Sequence, residues 1–221
     1  MDYSIIIMAK EPVPGKVKTR LSPSIPPSEA TMLYEAMLLD TVDILLSLKV
    51  KGKFIFYAPP HSTYFERFAR LPITILPQSE GDLGLKMRDA FHAVMESSGK
   101  PAIIIGTDIP LLTGATIENA ARILESTDIV IGPCVDGGYY LLGMKEYSPS
   151  LFEGISWSTQ TVLHDTLGAA EILGKGWALT DQLFDIDVAE DLGRLMDFLK
   201  GPRGYIFEGR RSVKEAKLIT G

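Results

Sequence analysis

The sequence predicts an α/β fold, a three-layer α/β/α sandwich on a mainly parallel mixed sheet, with an antiparallel insertion in its second half. Three observations predict it. Short apolar runs alternate with longer amphipathic segments, the short runs mostly lack polar alternation, and neither a repeat nor a Ser/Gly-rich linker divides the chain. A strand without polar alternation must be covered on both faces, so helices are expected on both sides of the sheet.

Five short apolar runs predict strands in the first part of the chain: Tyr3–Met8, Lys53–Ala58, Ile73–Leu76, Ala102–Ile105 and Asp128–Gly132. Three segments between them carry apolar residues at three- and four-residue spacing, which is typical of helices: Ser28–Lys49, Leu85–Ser98 and Thr113–Ser126. Pro26–Glu29 and Thr113 mark helix starts. Strand and helix in alternation imply right-handed crossovers between parallel strands.

The pattern changes after Gly132, where Asp136–Gly138 separates two apolar runs and predicts the turn of a hairpin. A helix at Gln160–Leu173, a strand near Trp177–Leu179 and a helix at Val188–Leu199 follow. Residues 1–200 are therefore expected to form a single domain. Residues 201–221 carry five Arg or Lys against two Glu, and we interpret them as a basic solvated tail rather than a flap that grips phosphate.

The composition restricts the class of protein. Of 221 residues, 46% are hydrophobic and 23% charged, which is typical of a globular protein with a buried core. The net charge of −6 argues against non-specific nucleic-acid binding, and no apolar run approaches the roughly 18 residues of a membrane span. The single cysteine, Cys134, excludes an internal disulfide, and Asp2 stands where a signal peptide needs positive charge. A cytoplasmic enzyme or binding protein is expected.

A loop containing Pro and Gly follows the first strand and carries four cations within eleven residues: Lys10, Lys16, Lys18 and Arg20. Ligands of open α/β sheets bind at the carboxyl ends of the strands, so this loop is expected to bind an anion; the alternative is a solvated basic loop. It matches neither the Walker A motif nor the Gly-x-Gly-x-x-Gly motif. Gly15 lets the backbone approach a ligand closely, and Lys10, Lys18 and Arg20 can supply charge to a diphosphate.

Two aspartates stand where they can bind a metal ion. Asp108 follows the most apolar strand, at the same sheet edge as the cationic loop, where a divalent cation can bridge it to phosphate oxygens. The alternative is a turn in which Asp108 caps the next helix. Asp187 precedes the last helix and can be its N-cap, with Glu190 as the capping-box partner, and the same residue can also bind metal.

Two further positions can contact a flat ligand. Gly81 and Gly84 flank Asp82 after a strand, which suggests tight backbone packing against a base or ribose, or else a plain glycine turn. Trp157 can stack on a sugar or base, although packing in the core is the commoner role of tryptophan.

Five motifs occur in order: Lys-x-Pro-x-x-Gly-x-x-Lys-Thr-Arg-Leu from Lys10, Gly-Asp-Leu-Gly from Gly81, Gly-Thr-Asp-x-Pro from Gly106, Asp-Gly-Gly-Tyr-Tyr-Leu-Leu-Gly from Asp136 and Asp-Ile-Asp from Asp185. Together they resemble the nucleotide-diphospho-sugar transferase superfamily with the glycosyltransferase A-type fold, over about residues 3–199. The sequence is most similar to a bacterial family of radical-SAM/selenodomain-associated, arsenosugar-biosynthesis-type glycosyltransferases. Molybdenum-cofactor and phospholactate guanylyltransferases resemble it more distantly.

The resemblance implies a role for each motif. It implies that the diphosphate lies on the first loop, through Lys10, Gly15, Lys18 and Arg20, and that Gly81, Asp82 and Gly84 line the base and ribose. It implies that Asp108 and Asp187 bind Mg²⁺ or Mn²⁺, and that the acceptor or sugar is lined by Asp136, Gly137, Gly138 and Tyr139, with Trp157 nearby. Asp108, Lys18 and Asp136 are the expected catalytic residues, Asp136 as a base for an acceptor hydroxyl.

Three functions follow from this interpretation. The first is a metal-dependent glycosyltransferase that moves a sugar from a nucleotide-diphospho-sugar to a small-molecule acceptor. The second is a nucleotidyltransferase that joins a nucleoside triphosphate to a phosphorylated small molecule and releases pyrophosphate; it is favoured by the single carboxylate, Asp108, where many glycosyltransferases carry Asp-x-Asp. The third is a non-catalytic regulator that binds a nucleotide. The sequence leaves a homodimer open.

Overall fold

The structure is a computed structural model that describes residues 2–50 and 52–221. Its strands form one sheet: β1 (Ser4–Lys10), β2 (Gly52–Ala58), β3 (Thr74–Pro77), β4 (Ala102–Ile105), β5 (Ile129–Pro133), β6 (Tyr139–Met144) and β7 (Trp177–Leu179). The order across the sheet is β3-β2-β1-β4-β6-β5-β7. Within the described residues only β6 runs antiparallel to its neighbours, so the predicted mixed, mainly parallel sheet is confirmed.

The helices cover both faces of the sheet: α1 (Pro27–Ser47), α2 (Leu83–Ser98), α3 (Gly114–Ile123), α4 (Val162–Ile172), α5 (Ala189–Lys200) and α6 (Arg211–Thr220). Short 3₁₀ helices occupy Tyr64–Phe68, Pro149–Phe152 and Gly204–Ile206. Ile5 and Ile7 of β1 join a core cluster with α1 and α3, while Ile6 joins a second cluster with α2 and α4. Burial on both faces explains why the strands lack polar alternation.

The strand order reverses between β1 and β4, because the chain goes from β1 to β2 on one side and later returns to place β4 on the other. In an open α/β sheet this reversal opens a crevice at the carboxyl ends of the strands. Here the two neighbours of β1 end at different levels. β4 ends at Ile105, opposite Ile7, whereas β1 continues to Lys10 beside β2.

The predicted hairpin is confirmed, since β5 and β6 pair antiparallel around the turn at Asp136–Gly138. The register shifts at Gly132 and Pro133. Gly132 has no room for a side chain, because a Cβ there would lie 2.5 Å from the ring of Tyr140. Thr113 caps α3 as expected, accepting a hydrogen bond from the Thr116 amide at 3.1 Å.

The interpretation of residues 201–221 as a solvated tail is wrong. Phe207, Val213 and Ala216 are buried in a third core cluster with residues of α1 and α5. The Asp40 carboxylate of α1 accepts hydrogen bonds from the amide and hydroxyl of Ser212, at 2.9 and 2.6 Å. The excess of basic residues predicted solvation, but Val213 and Ala216 form an apolar stripe at three-residue spacing that packs α6 against α1. Among the described residues, no helix has the length and apolar character needed to cross a bilayer.

Candidate active site

Three of the predicted segments meet at the carboxyl edge of the sheet, around the amine of Lys18. Its Nζ lies 2.9 Å from Asp108 Oδ2 and 3.8 Å from Asp187 Oδ1, and its side chain is only 6% exposed. Arg20 Nη1 lies 2.6 Å from Asp187 Oδ2. The cationic loop, the end of β4 and the segment before α5 therefore form one site.

The conformation of the loop turns Lys18 inward. Val17 and Leu21 are buried and anchor the loop on both sides of Lys18, whereas Lys16 is exposed. Lys18 has φ 48°, in the left-handed region that costs a residue with a side chain roughly 1–2 kcal/mol. The ion pairs with Asp108 and Asp187 offset this strain.

Lys18 and Asp108 hold each other in the charged state. Burial disfavours the charge of Lys18, but the charges of Asp108 and Asp187 and the hydrogen bond to Asp108 outweigh it, so the pKa of Lys18 lies above its ordinary value. Burial likewise disfavours the charge of Asp108, but Lys18 lowers the pKa of Asp108 below the usual range of an aspartate. Both groups are therefore ionised at neutral pH.

The site also contains carboxylates in excess of its cations. Burial, together with the negative charges of Asp108 and Asp136, raises the pKa of Asp185 to about 6. Ligand atoms of Cys134, Asp136 and Asp185 lie within 4.8 Å of one another. Burial raises the pKa of the Cys134 thiol, which therefore stays neutral. Clustered carboxylate oxygens whose charges repel one another fit a hard divalent cation such as Mg²⁺ or Mn²⁺.

The expectation that Asp187 caps the last helix is wrong by one residue. Val188 occupies the N-cap position of α5, and the Asp191 carboxylate accepts hydrogen bonds from the Asp187 and Val188 amides at 3.0 and 2.9 Å. Asp191, rather than Glu190, is thus the acidic partner at the helix start. The side chain of Asp187 points to Lys18 and Arg20 instead, and its role as a metal ligand remains a prediction.

The Gly81–Gly84 segment forms the start of α2. Asp82 is the N-cap and accepts a hydrogen bond from the Leu85 amide at 2.8 Å, and Gly81 has φ 111°. Gly84 makes room for Trp157, since a Cβ there would lie 2.2 Å from the indole. Trp157 also stacks on Phe152, with centroids 6.2 Å apart. The structure thus shows a turn and a packed tryptophan, while the nucleotide roles of Gly81, Asp82 and Gly84 and the acceptor role of Trp157 remain predictions.

The hairpin turn docks on the start of α4. The Gly138 amide donates to Asp136 Oδ1 at 2.9 Å, and the Leu163 amide donates to the Gly137 carbonyl at 3.0 Å. Gly137 has φ 90°, and a Cβ there would lie 2.0 Å from the carbonyl oxygen of Gln160. Tyr139 packs against the core on the α2 and α4 face. The structure places Asp136 near Asp185 and Cys134, and the acceptor roles of Gly137, Gly138 and Tyr139 remain predictions.

Two residues near the site, Tyr34 and Gln78, were missed by the sequence interpretation. Tyr34 of α1 binds both backbone polar groups of Lys10 through its hydroxyl. Gln78 Nε2 donates to the carbonyls of Ala9 and Phe56, at 3.0 and 2.9 Å, and so joins the ends of β1 and β2. The Asp-Ile-Asp motif already pointed to Asp185 beside Asp187, whereas Tyr34 lies within an ordinary amphipathic helix and has no such signal.

Comparisons with known proteins identify a family and several relatives. The sequence model of a family described as "Uncharacterized protein conserved in bacteria (DUF2064)" matches residues 41–159, just over half of the chain. A 2-phospho-L-lactate guanylyltransferase from Methanothermobacter thermautotrophicus is 28% identical over 213 residues, which cover 90% of this chain and 88% of the relative. The enzyme of the same name from Methanobrevibacter smithii is 26% identical, with 98% and 91% covered.

Solved structures show the same fold. A protein from Desulfovibrio desulfuricans G20, named provisionally as a nucleotide-diphospho-sugar transferase, has a TM-score of 0.89 and 27% identity, with 99% of this chain and 95% of that chain covered. The inositol-1-phosphate CTP transferase of T. maritima has a TM-score of 0.57 and 13% identity, with 98% and 96% covered, and supports the fold alone. The expected nucleotide-diphospho-sugar transferase-like fold is confirmed. The curated relatives bear the name of a guanylyltransferase and not of an arsenosugar-type glycosyltransferase, which favours the second of the three functions.

Proposed function

We propose that this chain, which belongs to the DUF2064 family, is a nucleotidyltransferase that joins a nucleoside triphosphate to a phosphorylated small molecule and releases pyrophosphate. The observation that carries the proposal is the buried Lys18 beside Asp108, in the crevice between β1 and β4. The names of the curated relatives make GTP and 2-phospho-L-lactate the first substrates to test. A triphosphate donor agrees with the cytoplasmic location that the sequence leads us to expect.

The proposed chemistry needs positioned positive charge more than it needs a base. An oxygen of the acceptor phosphate attacks the α-phosphorus of the nucleotide, the bond from that phosphorus to its bridging oxygen breaks, and pyrophosphate leaves. Negative charge grows on the departing pyrophosphate, where the cations Lys10, Lys18 and Arg20 can stabilise it. A phosphate monoester with a second pKa of about 6 is already ionised at neutral pH. Asp136 therefore has no proton to remove, and its role as a base belongs to the glycosyltransferase alternative.

We expect Asp108 and Asp187 to hold Mg²⁺ or Mn²⁺, as the sequence predicts. Asp136 and Asp185, whose ligand oxygens lie within 4.8 Å of each other and whose charges act on the same site, would complete the set of carboxylates. A bound divalent ion would neutralise phosphate oxygens and polarise the α-phosphorus. The chain's own part is to gather these carboxylates at one sheet edge and to keep Lys18 charged beside them. Lys18 pairs with Asp108 and Asp187, and Arg20 pairs with Asp187, so both cations lie beside the proposed metal ligands and could contact phosphate oxygens bound there.

The test is a pyrophosphate-release assay with GTP, 2-phospho-L-lactate and Mg²⁺ or Mn²⁺, extended to the other nucleoside triphosphates and to a panel of phosphorylated acids and sugar phosphates. We expect pyrophosphate to form only when nucleotide and acceptor are both present. Asp108→Asn should abolish the reaction while the protein still folds, which a cooperative unfolding transition would check. Binding of triphosphates without turnover of any acceptor in the panel would instead favour a non-catalytic regulator.

Glycosyl transfer is the second candidate function. It is favoured by the high structural similarity to the Desulfovibrio protein with its nucleotide-diphospho-sugar transferase name. The two functions release different products. Free nucleoside diphosphate formed from a nucleotide sugar, with no pyrophosphate from any triphosphate, would replace the nucleotidyltransferase proposal by this one.

A further inference from the structure

The end of β1 lacks a neighbouring strand on one side. β1 continues to Lys10, but β4 stops at Ile105, opposite Ile7. Backbone groups of successive strand residues point to alternate sides. The Glu11 amide donates to the Ala58 carbonyl at 2.7 Å, so residues 9 and 11 face β2 and the backbone groups of Lys10 face the gap beside β4.

The hydroxyl of Tyr34 fills this gap. It accepts a hydrogen bond from the Lys10 amide at 2.8 Å and donates one to the Lys10 carbonyl at 3.1 Å. The Thr107 hydroxyl donates to the Tyr34 hydroxyl oxygen at 3.4 Å. One phenol thus replaces the missing strand at Lys10 and also contacts the residue before Asp108.

The hydroxyl is held in a single arrangement. Tyr34 is 5% exposed, and burial raises the pKa of its hydroxyl, so the group stays protonated at neutral pH. Its one proton goes to the Lys10 carbonyl, and its lone pairs accept from the Lys10 amide and Thr107. Among the described residues, these are the hydrogen bonds recorded for the hydroxyl, and they use its full capacity.

We infer that Tyr34 is a positioning residue for the nucleoside triphosphate: its hydroxyl fixes Lys10, and with it the start of the phosphate-binding loop, relative to Thr107 and Asp108 across the crevice. The inference rests on the proposed function, because it assigns the loop to a triphosphate. Tyr34 lies beneath the loop and acts through Lys10. Its loss is therefore expected to change the affinity for nucleotide more than the rate of the chemical step.

The test is Tyr34→Phe, which removes the hydroxyl and keeps the ring. In calorimetric titration with GTP and Mn²⁺, we expect the Kd for GTP to rise about tenfold, which is about the net contribution of one hydrogen bond that positions Lys10. The KM for GTP should rise by the same factor, with kcat changed less than about threefold. Hydrogen exchange at the Lys10 amide should accelerate, which a general loss of stability elsewhere in the chain would not single out.

Tyr140→Phe is the matched control. Tyr140 is also buried, and its hydroxyl pairs with Thr180 Oγ1 at 2.8 Å and with the Asp181 carbonyl at 3.0 Å, away from Lys10. This variant should lose a similar amount of stability and keep the Kd for GTP. An unchanged Kd in Tyr34→Phe, or an equal rise in both variants, would overturn the inference.

The two proposals fail in different ways. If the wild-type protein bound no nucleoside triphosphate, the proposed function would fall, and with it the role assigned to Tyr34. If the wild type bound and turned over GTP while Tyr34→Phe matched it, only the inference about Tyr34 would fall. Slow exchange of the Lys10 amide in Tyr34→Phe would count against the inference in either case.

Discussion

Replacing Lys18 by methionine should disable the site while leaving the fold intact. Methionine keeps much of the apolar length of lysine and removes the charge. The amine of Lys18, whose side chain is 6% exposed, is the group that Asp108 and Asp187 share, and its loss leaves their negative charges without it. Arg20 cannot compensate fully, because it contacts Asp187 from an exposed position.

The expected magnitude follows from the geometry. At an effective dielectric constant of about 20, the contacts of 2.9 and 3.8 Å correspond to roughly 6 and 4 kcal/mol of gross attraction. Asp108 and Asp187 are 37% and 31% exposed, so water screens both contacts. The net loss in the free energy of unfolding is therefore expected to be about 2 kcal/mol, as for a charge-assisted hydrogen bond. Losing one positioned group that stabilises the transition state should lower kcat/KM by about 10²–10³.

The assay compares Lys18→Met with Lys16→Met, a variant two residues away on the same loop. Lys16 is exposed, and no ion pair is recorded for it within residues 2–50 and 52–221. Its replacement should change the free energy of unfolding by less than about 0.5 kcal/mol and kcat/KM by less than about threefold. Urea unfolding and pyrophosphate release measure the two quantities. Equal losses in both variants would show that the total loop charge matters and would refute the argument from the position of Lys18.

Three further predictions concern the hairpin turn, a buried phenol and the C-terminal helix. Gly137→Ala should lower the free energy of unfolding, measured in urea, by about 3 kcal/mol or more, because Gly137 has φ 90° and a Cβ there would lie 2.0 Å from the carbonyl oxygen of Gln160. Gly99→Ala, at φ 61° and with open space around it, should lower it by only about 1–2 kcal/mol. Equal losses in both variants would contradict the steric argument. Burial raises the pKa of the Tyr140 hydroxyl to about 12, so the neutral hydroxyl contributes its full stability below pH 10 and that stability is lost as the pH rises through 12. The free energy of unfolding of the wild type should therefore fall by about 2–3 kcal/mol over that window, and that of Tyr140→Phe should not. Parallel pH profiles of the two proteins would exclude this. Arg210 donates to two backbone carbonyls in the segment between β4 and α3. Arg210→Gln should therefore lower the free energy of unfolding by about 1–3 kcal/mol and also reduce activity. A loss of stability with unchanged kcat/KM would show that the C-terminal segment does not influence the site.

The regular elements were predictable because their signal is local. β4 occupies the predicted Ala102–Ile105, and the main helices and strands differ from their predicted bounds by a few residues. The differences have physical causes. β1 continues past Met8 to Lys10 because its backbone still pairs with β2 and with Tyr34, and neither partner depends on an apolar side chain in β1.

The tail shows how composition can mislead. Its excess of Arg and Lys predicted solvation, whereas Val213 and Ala216 lie on one helical face and are buried against α1. The basic residues stay at the margins, where Arg211 pairs with Asp40 and Asp43. A short helix can thus be strongly charged and still carry a stripe that binds it to the core.

By itself, the sequence determined which segments form strands and helices, and that Lys18, Asp108 and Asp187 follow or precede them at one sheet edge, because hydrophobic periodicity and parallel topology are enough for that. Only the tertiary structure decided which loop cation turns inward, that Asp136 comes close to Asp185, and that Tyr34 replaces a missing strand. These outcomes depend on the φ of 48° at Lys18 and on distances between groups that are far apart in the chain. Spacing along a sequence carries no record of such distances, because packing in three dimensions sets them.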